Sequence, residues 1–187
     1  MKYKSNLKVT SRKDRGEYIL DKYRPLFEDS KTVLDVGCGE YASLGEAIDK
    51  NNLNIDYIGL DNNDRVFNDR IVYIDLSEEY DKVGGFYDTI VASHVLEHVD
   101  KLHELLDYLI TSTNKYLILC LPKCDTSIDG KHYGLPVDPP IDRHRWAFSL
   151  DAAEKFYMGI ANKYGLNVLQ IDRNEELKEI WCAYSKV

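Results

Sequence analysis

No run of this chain approaches the roughly 20 consecutive apolar residues that a membrane span needs, and its mean hydropathy is −0.41. The lysine-bearing N-terminus leads into no apolar segment, so neither a secretory signal nor a membrane anchor is expected. Cysteine is scarce, with four residues at 38, 120, 124 and 182. Cys120 and Cys124 lie four apart with no second close pair, which excludes the paired spacing of a structural zinc site. They read as reduced core or loop thiols of a cytoplasmic protein. Basic charge is also in deficit, the net charge being −8. Residues 1–24 hold eight Lys or Arg against three acids, which leaves the remainder at −13. An acidic body lacks the broad basic face that a long nucleic acid requires. The basic arm reads as a solvated, partly mobile terminus able to touch an anionic substrate. Repeats and low-complexity tracts are absent, and 187 residues suit one domain over 1–187, with the basic arm and a first helix in 1–30.

Against these absences stands one dense stretch, Thr32-Val33-Leu34-Asp35-Val36-Gly37-Cys38-Gly39. It reads as a short apolar strand that ends on a carboxylate and breaks into a Gly-x-Gly turn. Glycine there permits positive φ and lets a ligand approach the main chain. A helix starting near Ala42 then aims its unpaired N–H groups at that ligand. Gly37, Gly39 and Ala42 satisfy the loose dinucleotide fingerprint, with Asp61 at the distance of a ribose-binding acid. Asp35, however, would repel a pyrophosphate, at a cost on the order of 4 kcal/mol for near-surface charges about 4 Å apart. Beside an ammonium group the sign reverses. A ligand with adenosine at one end and an amino acid at the other suits both acids, and S-adenosylmethionine is such a ligand. A nicotinamide oxidoreductase is the alternative.

Val33 to Gly39 resembles the first motif of the class I S-adenosylmethionine-dependent methyltransferases, in their broad small-molecule (type 11-like) branch. Tyr57-Ile58-Gly59-Leu60-Asp61 is similar to that family's second strand, Val72 to Leu76 to its third, and Tyr87 to His98 to its fourth strand and following helix. The resemblance covers roughly residues 31–121. It implies that Asp35, Gly37 and Gly39 hold the methionine portion of the donor, and that Asp61 with Asn62 meets the ribose. Asp75 and Leu76 would lie by the adenine and Ser93 near the sulfonium. Many members carry a further glycine two places after Gly39, where this chain has Tyr41, a side chain placed to pack on the cofactor or partly close its pocket.

Alternation of strands and helices along the chain predicts a mostly parallel sheet. A helix is expected over about 12–27, bent or ended by Pro25. Strands are expected at 32–36, about 55–60, 71–74, 86–92 and 116–121, with helices at about 42–50 and 101–110. Leu166–Ile171 and Ile180–Tyr184 flank a polar turn and read as a hairpin that adds one antiparallel strand. The expected fold is a Rossmann-like, mostly parallel seven-stranded α/β sheet with helices on both faces.

Four of the five prolines fall between Pro122 and Ser149. So long a connection after a fifth strand reads as a substrate loop or lid. Within it Asp142-Arg143-His144-Arg145-Trp146 is a dense polar and aromatic cluster. A helix beginning at Ser93 would align His94, Glu97 and His98 at i, i+3 and i+4. A hydroxyl nucleophile needs a base, so His94, His98 and His144 are the candidate catalytic residues. His98 equally suits a scaffold role. The set His94, Glu97, His98 and His144 also offers N and O donors to a divalent metal. It resembles the cluster of metal-dependent methyltransferases acting on small-RNA 3′ ends, with His94 where that pattern has Glu. The expected function is methyl transfer to an oxygen of a small molecule or carbohydrate. Metal-assisted methylation of an RNA 3′ end and a non-catalytic S-adenosylmethionine-binding subunit are the alternatives. The oligomeric state is not encoded in any of these features.

Overall fold

The computed structural model describes residues 3–62, 69–123 and 144–187. Short β-branched and apolar runs form seven strands: β1 (Thr32–Val36), β2 (Asp56–Asp61), β3 (Ile71–Tyr73), β4 (Tyr87–Ser93), β5 (Thr113–Pro122), β6 (Asn167–Asn174) and β7 (Glu179–Ser185). Amphipathic segments form α1 (Asp14–Lys22), α2 (Arg24–Glu28), α3 (Ser43–Lys50), α4 (Leu102–Ser112) and α5 (Leu150–Tyr164). The strands make one sheet in the order β3-β2-β1-β4-β5-β7-β6. β1 to β5 pair in parallel, and β7 inserts antiparallel between β5 and β6. The Rossmann-like sheet read from the sequence is therefore present, including its antiparallel strand.

Both sheet faces are covered, so successive residues of one strand enter different cores. Leu34 and Val36 join α4 and α5, whereas Val33 joins α1, α2 and α3. On β7, Ile180 and Cys182 face the first layer while Trp181 and Ala183 face the second. Trp181 anchors that second layer under the rings of Tyr18 and Tyr23. Lys22, itself buried, lies by these three rings and pairs with Asp172. Chain order runs outward from β1 to β3 and then crosses back to β4 on the other side of β1. The reversal opens a crevice at the carboxyl ends of β1 and β4, where open α/β sheets bind ligands.

Several local expectations are refined. The helix read over 12–27 is two helices, because Pro25 lacks the N–H that would extend α1 and suits the first turn of α2. Ser149 caps α5 by accepting from the Ala152 N–H at 3.2 Å, and Gly165 ends that helix at φ 65°. The basic arm is fastened from Tyr3 onward: its backbone bonds to the Gln170 side chain and its ring packs on Tyr23. Cys38, Cys120 and Cys182 are free thiols, and Cys124 lies outside the described residues. No helix among the described residues is long and apolar enough to cross a membrane.

α1 reaches the crevice because Gly16 lets it ride directly on α3. A Cβ at Gly16 would lie 2.0 Å from the Ser43 backbone, whereas one at Gly159 in α5 meets open space. Gly16→Ala is expected to destabilise the protein by about 1–3 kcal/mol through overpacking. Gly159→Ala should instead stabilise it by about 0.4–1 kcal/mol. Denaturant melts of the two variants check the contrast, and equal effects would mean that α1 is not seated on Ser43.

Candidate active site

The turn after β1 is built from two left-handed glycines, Gly37 at φ 70° and Gly39 at φ 71°. The N–H groups of Gly37 and Cys38 both donate to the Leu60 carbonyl, at 2.7 and 3.0 Å. Gly39 N–H donates to Asp61 Oδ2 at 2.7 Å, so the acid that ends β2 also holds the turn. The two glycines serve different ends. A Cβ on Gly37 would fall 2.1 Å from Val95 Cγ2, so its absence lets the turns after β1 and β4 touch. A Cβ on Gly39 would meet nothing within 4 Å, so that glycine fronts open space. Ala42, read as the start of the next helix, is its left-handed cap at φ 42°, and α3 begins at Ser43. Tyr41 is exposed, with the Lys13 ammonium 4.6 Å from its ring centre.

Asp35 lies beneath this turn and is only 6% exposed. The Tyr57 hydroxyl donates to its Oδ2 at 2.8 Å. Burial pushes the Asp35 carboxyl up, the Tyr57 bond opposes this, and the nearby Asp61 charge adds to it, giving about 7. Asn62 follows Asp61 and is exposed. Asp75 stands past the end of β3, exposed, accepting from Ser77 N–H at 2.9 Å, while Leu76 beside it is buried. Ser93 ends β4 at the same edge.

Beyond Ser93 the structure corrects the sequence reading. The helix expected to begin there does not form. His94 N–H stays bonded to the Cys120 carbonyl of β5 at 3.1 Å, so the chain leaves the sheet through a left-handed residue, His94 at φ 58°. Leu96–His98 is a single 3₁₀ turn, and α4 starts at Leu102. His94, Glu97 and His98 therefore do not share a helical face, and they divide between two clusters.

In the first cluster His94 Nε2 lies 3.0 Å from Glu179 Oε2. Glu179 is fully buried and also accepts from Arg15 Nη1 at 2.9 Å and Trp181 Nε1 at 2.7 Å. Burial pushes its carboxyl up, but His94, the Arg15 guanidinium and the Trp181 indole together hold it below the usual range. A carboxylate at Nε2 favours the tautomer protonated there and leaves the lone pair on Nδ1. The sequence reading singles out neither Arg15 nor Glu179. A signal exists in principle: Glu179 immediately precedes the apolar run of an antiparallel strand, whose first residue returns to the carboxyl edge of the sheet.

The second cluster holds Glu97, His98 and His144. Glu97 is 1% exposed, and burial pushes its carboxyl to about 8 against its own backbone N–H and the Arg15 charge. Its Oε1 lies 3.7 Å from His98 Nε2 and 4.0 Å from His94 Nδ1. The Glu97 carbonyl accepts from Arg145 N–H at 2.6 Å and Trp146 N–H at 3.1 Å. The Trp146 indole donates to the Val99 carbonyl at 2.7 Å. These bonds bring His144 edge-on to His98, with ring centres 4.6 Å apart. Most of the loop read as a lid, residues 124–143 with Asp142 and Arg143, lies outside the described residues.

The chain matches the family model of a methyltransferase domain over residues 11–171. Its fold is similar to a SAM-dependent methyltransferase from Archaeoglobus fulgidus, with TM-score 0.65, 21% identity, and 94% of this chain and 95% of that one covered. A magnesium protoporphyrin IX methyltransferase from Synechocystis PCC 6803, crystallised with bound SAM, gives TM-score 0.61 at 14% identity over 98% of this chain and 87% of that one. The mitomycin 7-O-methyltransferase MmcR gives TM-score 0.66 at 14% identity, over 95% of this chain and 54% of that one. At these identities the likeness to the solved structures is one of fold. No curated protein matches the chain in sequence.

The buried Asp35 carboxyl makes stability depend on pH. Its native pKa of about 7 exceeds the ordinary aspartate value of 3.8, so the native state holds the proton more tightly. The stabilisation is full below the unfolded pKa and is lost as pH rises through about 7. Glu97 adds the same sign up to about 8. Denaturant melts of the ligand-free protein should show stability falling from pH 5 to pH 8, and Asp35→Asn should flatten the part of that slope below about pH 7. An unchanged slope in Asp35→Asn would mean that Asp35 is already ionised.

Proposed function

The chain belongs to the methyltransferase domain family, and from that premise we propose that it methylates an oxygen of a small molecule or sugar, with His94 as the base. S-adenosylmethionine is the methyl donor. When bound, it supplies an electrophilic methyl group on a sulfonium and leaves as S-adenosylhomocysteine.

The residues present fit this donor. Gly39 fronts open space with positive φ, the kind of backbone a ligand can approach closely. Asp35 is a buried carboxyl with Tyr57 as its hydrogen-bond donor and a second acid nearby, an environment that an ammonium group relieves. We assign Asp35, Gly37 and Gly39 to the methionine portion and Asp61 with Asn62 to the ribose. Asp75 and Leu76 are assigned to the adenine and Ser93 to the neighbourhood of the sulfur.

The observation that carries the base assignment is the His94–Glu179 pair. Glu179 orients the imidazole from one side and stabilises the positive charge it gains, as an orienting carboxylate does in other hydroxyl-activating sites. His94 is about one-third exposed, so Nδ1 can reach an acceptor in the crevice. His94 Nδ1 would take the proton of the acceptor O–H, leaving that oxygen free to accept the methyl group that the bound donor would supply. The strained backbone at His94, held by Cys120 and Glu179, fixes that geometry before substrate arrives. His98 and His144, which lie together beside Glu97, are assigned to positioning the acceptor.

Two measurements separate this reading from its rivals. Asp61→Ala should weaken S-adenosylhomocysteine binding by roughly 1.5–3 kcal/mol in calorimetry, the range for a hydrogen bond to a charged group. His94→Ala should lower kcat by about 10²–10⁴-fold on a hydroxyl acceptor while leaving donor affinity nearly intact. Tight donor binding with no turnover on any hydroxyl, phenol or sugar acceptor would favour a cofactor-binding subunit that acts through a partner.

A further inference from the structure

The two clusters at the strand ends differ in what neutralises them. Around Glu179 the Arg15 guanidinium already stands 2.9 Å from the carboxylate, so no cation is called for. Around Glu97 the situation is different. Among the described residues neither of its carboxyl oxygens has a full hydrogen-bond partner although the residue is buried, and only its own backbone N–H and the Arg15 charge act on it. Among the described residues no lysine or arginine forms an ion pair with it, and its nearest polar neighbours are imidazoles. We propose that Glu97, His98 and His144 bind a divalent transition-metal ion through one carboxylate oxygen and two imidazole nitrogens.

The geometry suits this more than a hydrogen-bonded cluster. Glu97 Oε1 and His98 Nε2 are 3.7 Å apart, beyond hydrogen-bond reach. Two donors each roughly 2.0–2.1 Å from a tetrahedral ion stand about 3.4 Å from one another. One ligand atom from each of the three residues lies within 4.8 Å of the others, so small side-chain rotations close the set. Two imidazoles and a carboxylate favour Zn²⁺, Mn²⁺, Fe²⁺ or Co²⁺ over Ca²⁺ or Mg²⁺. The backbone is braced for it, because the Glu97 carbonyl holds both Arg145 N–H and Trp146 N–H next to His144. His98 is partly exposed, so the ion's remaining positions are within reach of solvent. The set is smaller than the four residues marked in the sequence, since His94 is engaged by Glu179.

An ion at this point, with His94 Nδ1 4.0 Å from Glu97 Oε1, offers its open positions to the acceptor oxygen that His94 deprotonates. That role rests on the methyl-transfer reading, whereas metal binding itself does not.

The test uses the full chain, freed of metal by chelator and titrated with Co²⁺ and Mn²⁺ by calorimetry, with Co²⁺ followed also by its visible ligand-field absorption. One equivalent is expected to bind. Glu97→Gln and His144→Ala should each weaken it by at least roughly tenfold, while S-adenosylhomocysteine binding, the check on folding, persists. Absence of binding to the unsubstituted protein, or binding undiminished in both variants, overturns the proposal. So does loss of the ion in Cys120→Ser with retention in His144→Ala, which would place it in the other cluster. Failure of methyl transfer with the metal site intact would instead strike the functional reading alone.

Discussion

A buried carboxylate with three donors holds the candidate site together. Glu179 opens β7, and it ties Arg15 of α1, His94 of the β4 turn and Trp181 of its own strand to one point. An ionised acid in a core is tolerated only when it is paired and fully hydrogen-bonded. Here each donor comes from a different part of the chain or a different face of the strand. The same contacts that satisfy Glu179 therefore set where α1 lies along the crevice and which way the His94 ring points. Gly16 allows the close α1–α3 approach that makes the Arg15 contact possible.

Elsewhere among the described residues buried side-chain polar groups find partners, the Tyr23 hydroxyl in the aromatic cluster around Trp181 excepted. Its two apolar layers run along both faces of the sheet and are separated only by the strands. The departures collect at the carboxyl ends of the strands. Asp35 is buried beside another acid, Glu97 is buried with neither oxygen hydrogen-bonded among the described residues, and His94 holds a left-handed backbone. Perturbed carboxyls and strained backbone gathered in one crevice are the physical mark of a place prepared for charged ligands. Asp35 and Glu97 form no ion pair with a lysine or arginine among the described residues, although the Arg15 charge still acts on Glu97.

Much of this is legible in the amino-acid sequence. Short apolar runs, a Gly-x-Gly break after an acid, and an acid at the end of the next strand are local signals, and local signals survive without tertiary context. Expected and observed strands agree within a residue or so except at β5, whose first residues lie in a polar stretch, Thr113-Asn114-Lys115, that carries no strand pattern, and at β6, which runs on through the polar Asp172-Arg173-Asn174. The C-terminal hairpin is readable because two alternating runs flank a polar turn. His94, Glu97 and His98 stand out by residue type, but the helix expected to align them is absent. The backbone at His94 is left-handed, φ 58°, which a right-handed helix cannot continue, and its N–H holds the chain to a carbonyl of the neighbouring strand.

The sequence by itself determined the alternation of elements, the glycine turn with its two flanking acids, and through these the methyl donor. Each depends on residues only a few positions apart, whose backbone preferences and side-chain period act within one segment. What joins Arg15 to Glu179, separated by 164 positions, is decided only when β7 runs antiparallel beside β5 and returns its first residue to the ligand edge. The division of the histidines into a Glu179-held His94 and a Glu97-centred cluster has the same origin. Contacts between distant segments depend on strand order and register, which long-range packing settles and no local pattern carries.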